Sequence, residues 1–322
     1  MSFARRLLLL SLSGLALAAG VAGCGSDRDE DWEEDAMAPP APPRPPDAPG
    51  IPDAPAPPGA HARHYFELAD DGADRLEADL ELALGHVQTA PAEDGYLFQA
   101  EVLLPEGRLR PRFASRVGHG TAHVSLALDE AALSPRGVRR AEGARWLVYL
   151  PTRTPTDLSL KLGAAQAFVD LSGVPISRLD LDAGLSRAQL RFDTPNPTVM
   201  EDLSIAAGLA EFRADGLGNA RFRTMSFDGG AGRFALDFRG ADLEPGAVAA
   251  IHVGMADLLI TLPAGRPIAV ETPEGAFVRV GVPEGFVRAR GGFNSPEVGD
   301  PSQAFRVRIN SGPGRVEVRV AD

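Results

Sequence analysis

One register of glycines recurs along this chain and constrains its fold more than any other feature. Gly163, Gly184, Gly208, Gly230, Gly254 and Gly275 follow one another at 21, 24, 22, 24 and 21 residues. Five residues before each stands Leu158, Leu179, Leu203, Met225, Ala249 or Val270, and three before stands Leu160, Leu181, Ile205, Phe227, Ile251 or Thr272. Six residues after stands Val169, Leu190, Ala214, Leu236 or Ile260. Gly312 extends the pattern, with Val307 and Ile309 before it and Val318 after it; Gly85, preceded by Leu80 and Leu82, begins it. Apolar residues two apart share one face of a strand. A glycine between two such pairs permits a backbone conformation closed to residues with a Cβ, so the chain can turn there. A unit of this length is too short for a strand–helix–strand crossover, yet it suits one coil of a β-solenoid whose equivalent positions stack in ladders.

The expectation is an all-β, single-stranded β-helix of 21–24-residue coils, with two or three short strands per coil. Elsewhere short alternating segments such as LFQAEVLL (97–104), AHVSLAL (122–128) and RWLVYL (145–150) alternate with Gly, Pro, Asn and Asp. Only Asp129 to Arg140 has room for a helical turn, which Ser134-Pro135-Arg136-Gly137 would break. An N-terminal β section over 61–154 and a repeat section with a C-terminal cap over 155–322 follow from this pattern. The open ends of such a stack need covers, and the arginine-rich segment 106–121 and the non-repeating insert 285–303 are the candidates.

Ahead of the repeats stand two segments of other kinds. Residues 1–23 read as an export signal, with Arg5 and Arg6 before an apolar run from Leu7 to Leu17 that is short for a membrane span. Val21-Ala22-Gly23-Cys24 resembles a bacterial lipobox, which makes Cys24 the expected lipidation site. It is the only cysteine, so no internal disulfide forms. Several acyl chains on Cys24 would hold the protein on a membrane face, and Gly25 after it resembles lipoproteins sorted to an outer membrane. Residues 24–60 are acidic from Asp27 to Asp35 and then rich in Ala and Pro, a composition expected to form a disordered, extended tether of on the order of 100 Å. The acidic run reads as a solvated spacer, a cation or a basic partner being the other reading.

The chain carries a net charge of −12, which argues against a nucleic-acid partner; Lys161 is its only lysine, the remaining positive charge being arginine, which reflects GC-rich coding rather than function. Chemical motifs come close and fail. Lys161 precedes Gly163 outside any phosphate-loop frame, and Gly216-Leu217-Gly218-Asn219-Ala220-Arg221 departs from GxGxxG at its end. Gly184-Leu185-Ser186-Arg187-Ala188 departs from GxSxG at its last position. His119 and His123 have a helical metal spacing but lie in strand-like sequence, where four residues span ~13 Å. Asp180 and Asp182, with Asp228 one or two coils away, are the carboxylates that a polysaccharide-cleaving β-helix enzyme would need. The equivalent positions Lys161, Ala206 and His252 interrupt any acidic ladder. Alternate arginines at Arg108, Arg110 and Arg112 could face an anionic glycan or lipid, or simply solvent. No catalytic residue, metal ligand or cofactor is expected.

With these residues laid out, the chain resembles the "toastrack" β-repeat group, which includes the putative-adhesin repeat families and the C-terminal domain of LiaF-type envelope-stress proteins. The resemblance is carried by residues 146–151 and 155–164, by LSGVPISRLDLDAGLSRAQLRF (171–192) and by GLGNARFRTMSFDGGAGRFALDFRG (216–240). It implies envelope stress sensing, adhesion or scaffolding with other envelope components as partners, and it brings no catalytic motif. The chain departs from LiaF in lacking several transmembrane helices at its N-terminus. A non-enzymatic, lipid-anchored cell-envelope module is therefore the leading expectation, and a carbohydrate-active β-helix enzyme is the alternative.

Overall fold

A computed structural model describes residues 61–105, 109–128, 143–272, 280–300 and 302–321. The signal and tether, Cys24, Arg108, Asp129 to Arg140 and Gly275 lie outside these residues. The described residues form seventeen strands joined into one continuous sheet. Their centre is a parallel stack: β7 (Thr156–Asp170), β8 (Ile176–Ala183) with β9 (Arg187–Arg191), β10 (Met200–Asp215), β11 (Phe222–Asp237) and β12 (Val248–Pro263). The pairing offsets along it are those of the glycine spacings. Leu158 lies beside Leu179, Leu203 beside Leu179 and Met225, and Met225 beside Ala249. The chain is a single-stranded β-helix.

In β7, β10, β11 and β12 a coil is one long strand bent near its middle; the β8–β9 coil is broken into two strands at the same place. In β10 the buried residues are Met200, Leu203, Ile205 and Ala207, then Ala210, Phe212 and Ala214. The alternation changes phase at Gly208 and Leu209, both exposed, so two consecutive residues point outward and both arms keep an apolar row inside. We call these the first arm and the second arm. Short connectors such as 216–221 close each coil as a third side and stack too, with the Asn196 N–H donating to the Asn219 carbonyl at 2.7 Å and the Met200 N–H to Arg221 at 2.9 Å. The buried Asn196 amide binds the Ile176 N–H, the Ile176 carbonyl and the Ala220 carbonyl, which ties neighbouring connectors together. Aromatic side chains fill the interior, Phe227 packing on Phe212 and Phe234, and Phe238 on Phe222 and Phe305.

The repeat glycines occupy the bend, but the reason differs from the expected one. None of Gly163, Gly184, Gly208, Gly230, Gly254 and Gly312 has a positive φ. They sit where successive backbones nearly touch: a Cβ on Gly230 would lie 2.5 Å from the Gly208 carbonyl oxygen, one on Gly254 2.6 Å from that of Gly230, and one on Gly312 2.5 Å from that of Gly254. Left-handed glycines stand two residues further on, at Gly232 (φ 148°) and Gly314 (φ 150°), in register with Ala210 and Ala256.

Two alignments read from the sequence need correction. Gly85 is not the first rung, because Ala83 is the residue level with Gly163, with Ala78 and Leu80 beside Leu158 and Leu160. Gly85 has φ 97° and lies against Ala144 instead, where β2 (Arg75–Pro91) passes from its partner β5 (Thr121–Leu128) to β6 (Arg145–Leu150). Coil order also departs from chain order at the C-terminus. The last coil, β16 (Phe305–Ser311) and β17 (Gly314–Ala321), pairs directly with β12. The earlier strand β13 (Ile268–Glu271) pairs outside β16. Val270 and Val307 share a register, so the two strands are alike in pattern and their order in the stack was hidden.

Antiparallel hairpins stand at both ends. β14 (Val287–Ala289) and β15 (Gly292–Asn294) pair with each other, and β15 pairs with β13. At the other end β1 (His61–Ala69) pairs with β3 (Tyr96–Pro105), and β4 (Pro111–Gly118) with β5. Phe66, Phe98 and Phe113 stack between them, with ring centroids 4.9 and 6.0 Å apart.

The corner contacts make a graded prediction. A Cβ on Gly184 would meet the Gly163 carbonyl at an ordinary 3.5 Å, so Gly184→Ala should be neutral or stabilise by up to about 1 kcal/mol through the unfolded chain. Gly230→Ala should cost roughly 1–3 kcal/mol through overpacking, and Gly230→Val more. Urea unfolding of the three variants measures this; equal effects at both sites would contradict the contact argument.

Candidate functional site

Two shallow grooves, each of about 540 Å³, flank the glycine corner. The first is floored by bare backbone at Gly229, Gly230, Gly254 and Gly312 and rimmed by Asp228, His252 and Asn310. These three side chains stand on adjacent strands in one row. Neighbouring strands are ~4.8 Å apart, so the row is a line and not a cluster. His252 Nδ1 lies 3.7 Å from Asp228 Oδ1, with both side chains more than half exposed. Such an arrangement can hydrogen-bond an extended polar molecule but does not converge on one atom.

The second groove runs along the second arm between the corner residues Leu185 and Leu209 and the polar residues His86, Gln166, Arg187 and Glu211. Ser186 lies beneath it, 8% exposed, with an Oγ that has no hydrogen-bond partner. Its carbonyl accepts the Glu211 N–H at 3.0 Å. Arg187 Nε donates to Glu211 Oε2 at 2.8 Å.

The carboxylates read from the sequence do not gather. Asp180 stands between Ser159 and Ser204, and Asp182 between Lys161 and Ala206. Asp228 is separated from Asp182 by the strand that carries Ala206. The histidines are separated as well. His119, at φ 54°, and Gly120, at φ 76°, form the two-residue turn between β4 and β5, as type I′ hairpins require. His123 Nδ1 pairs with Glu77 Oε2 at 2.9 Å on the neighbouring strand. No group of three or more His, Cys, Asp or Glu that could hold a metal occurs among the described residues. Gly216 opens the short 3₁₀ turn Leu217–Ala220 at a coil corner, and strand β11 follows it. Of the arginine face, Arg110 and Arg112 are described. Both are exposed on or beside the edge strand β4 and carry no ion pair among the described residues, as does Arg116.

The groups whose titration is displaced stand apart from both grooves. Burial, then the charge of Glu101, raises Tyr149. Hydrogen bonds to Asp193 and Asp237 raise Arg191 and Arg239. The Ser302 hydroxyl and N–H lower Asp300.

The sequence missed one surface feature. The position just after the ladder glycine is occupied by Ala164, Leu185, Leu209, Ala231, Met255 and Pro313. Leu185, Leu209 and Met255 are 63%, 62% and 69% exposed there. A tabulation of that one position would have found the stripe, since every member is apolar.

Ser186 gives a direct check. A buried hydroxyl without a partner costs stability, so Ser186→Ala should leave thermal unfolding unchanged or raise stability by about 1 kcal/mol. Loss of stability would mean that Oγ is bonded in solution.

Residues 60–213 match the family model described as the N-terminal domain of toast_rack, DUF2154. No curated protein matches the chain in sequence. Among solved structures, a "putative cell adhesion protein" from Clostridium sporogenes ATCC 15579 is similar at 13% identity, over 81% of this chain and 100% of that one, with a TM-score of 0.45. A "putative adhesin" from Bacteroides fragilis NCTC 9343 aligns at 9% identity over 81% and 97% of the two chains, with a TM-score of 0.36. A "putative lipid binding protein" from Parabacteroides distasonis ATCC 8503 aligns at 8% identity over 82% and 98%, with a TM-score of 0.30. The similarity to the toast-rack N-terminal domain thus covers residues 60–213, a little under half of this chain.

Proposed function

We propose that this protein is a non-enzymatic, adhesin-like scaffold of the bacterial cell envelope, tethered to a membrane by lipid on Cys24. The observation that carries the reading is the form of the outward faces. Each coil offers the same row positions to solvent, filled with mixed residues such as Lys161, Asp182, Ala206, Asp228 and His252. A stack of this kind presents long, rigid surfaces, which suits binding along a line better than chemistry at a point. The parts of the sequence outside the described residues agree with it. An apolar export segment, the lipobox-like Val21-Ala22-Gly23-Cys24 and an acidic, Pro-rich linker would place the β-helix at a distance from the membrane face. Envelope proteins or anionic glycans are the partners that this reading favours.

Cell fractionation tests the anchor. In the native host the unaltered chain should sediment with the membrane, and Cys24→Ser should release most of it to the soluble fraction. Unchanged membrane association of the variant would rule out lipid on Cys24. Crosslinking in the intact envelope tests the scaffold reading, with specific crosslinked species expected for the wild-type chain.

A further inference from the structure

We infer that the corner of the second arm is a self-association surface, on which a second copy of this chain docks antiparallel about a two-fold axis. This goes beyond the envelope reading and does not depend on it.

Two adjacent rows on the same outer face carry the argument. The first is the apolar stripe, in which Leu185, Leu209 and Met255 are each more than three-fifths exposed. They are half of the exposed large hydrophobics among the described residues, the others being Tyr65, Val117 and Val287. Scattered apolar side chains are ordinary, but a contiguous line of them marks a contact. The second row lies two residues further along each strand and alternates in charge. In register, Arg187 is followed by Glu211, Arg233, Asp257 and Arg315. Arg187 and Glu211 are paired at 2.8 Å. Arg233 and Asp257 have no ion pair among the described residues.

Strict alternation makes the row complementary to its own reverse. A two-fold axis across the stripe, midway between the coils of Gly208 and Gly230, sets each coil opposite another an odd number of steps away. Every charge from Arg187 to Asp257 then meets its opposite. Glu211 faces Arg233 of the partner subunit, and Arg187 faces Asp257 of the partner subunit. The same axis sets Leu185 against the partner subunit's Met255 and Leu209 against the partner subunit's Ala231. A parallel arrangement would set like charges together if its axis ran along the charge row, and would lose the charge contacts if it ran along the stripe. The contact is isologous and closed, so it yields a dimer and not a fibre. The stripe spans five coil steps of ~4.8 Å, about 24 Å in all, which places the contact among small, weak interfaces.

The test is a pair of charge reversals in the full chain, followed by sedimentation velocity over a range of concentrations up to roughly 1 mM. The wild-type chain should show a reversible monomer–dimer shift that weakens with added salt. Glu211→Arg alone sets arginine against arginine, and Arg233→Glu alone sets glutamate against glutamate. Each should weaken dimerisation by about 10-fold or more. Mixed one to one, the two variants should recover it as a heterodimer, because both contacts are again opposite in sign. Circular dichroism confirms folding, and Leu209→Asp tests the apolar row separately with the same expected loss. A wild-type chain that stays monomeric throughout overturns the proposal. So does dimerisation that neither reversal nor Leu209→Asp alters, which would place the contact elsewhere. A monomer whose stripe instead binds vesicles of phosphatidylethanolamine and phosphatidylglycerol, with binding lost in Leu209→Asp, also overturns it in favour of a membrane contact.

Discussion

The structure depends on a close approach of backbone to backbone at the corners of its coils. Carbonyl oxygens at Gly208, Gly230 and Gly254 lie where a side-chain carbon of the next coil would otherwise sit. That proximity lets the strand bend while its ladder hydrogen bonds resume on the far side at the same offset, as between β10 and β11. Because the offset is unchanged, both arms stay in register. Because the alternation changes phase, both arms stay apolar inside. A bulkier residue at the bend would separate the coils locally and weaken the packing of Phe212, Phe227 and Phe234 just inside it.

Much of this was readable before any coordinates, for a physical reason. A solenoid writes its tertiary contacts as sequence periodicity, since residues one coil apart in the chain are neighbours in space. Leu158, Leu179, Leu203, Met225 and Ala249 are all 3% exposed or less, as their recurrence required. Met225 and Phe227 before Gly230, and Phe234, Leu236 and Phe238 after it, are buried likewise. What the letters did not separate was the cause of a glycine. Close approach and positive φ select the same residue, so Gly230 and Gly232 look alike on paper, although only the second is left-handed. Coil order was equally hidden. Val270 and Val307 fit the same register against β12, and no local pattern says which strand lies beside it.

The candidate sites were less legible, because chemistry needs convergence and a strand row gives a line. Asp180 and Asp182 were correctly placed on one face, yet their neighbours across the sheet are Ser204, Ala206, Ser159 and Lys161. The apolar corner stripe went unseen because its members are 21 or more residues apart and each is locally ordinary. Exposure distinguished them from the buried rows with the same periodicity.

The return of Phe305–Ala321 to β12 has a consequence for how the chain comes to be made. From Thr156–Asp170 to Val248–Pro263 the coils can add to one another in the order of synthesis, each docking on the one before. The strand Ile268–Glu271 is made next but pairs with β16, not with β12. The free edge of β12 must therefore wait, through residues 264–304, for the last coil to arrive. Until Phe305–Ala321 has been made the nascent protein carries an unpaired strand edge, the kind of surface on which misassembly begins. Assembly can be sequential over residues 156–263 and then depends on the insertion of Phe305–Ala321.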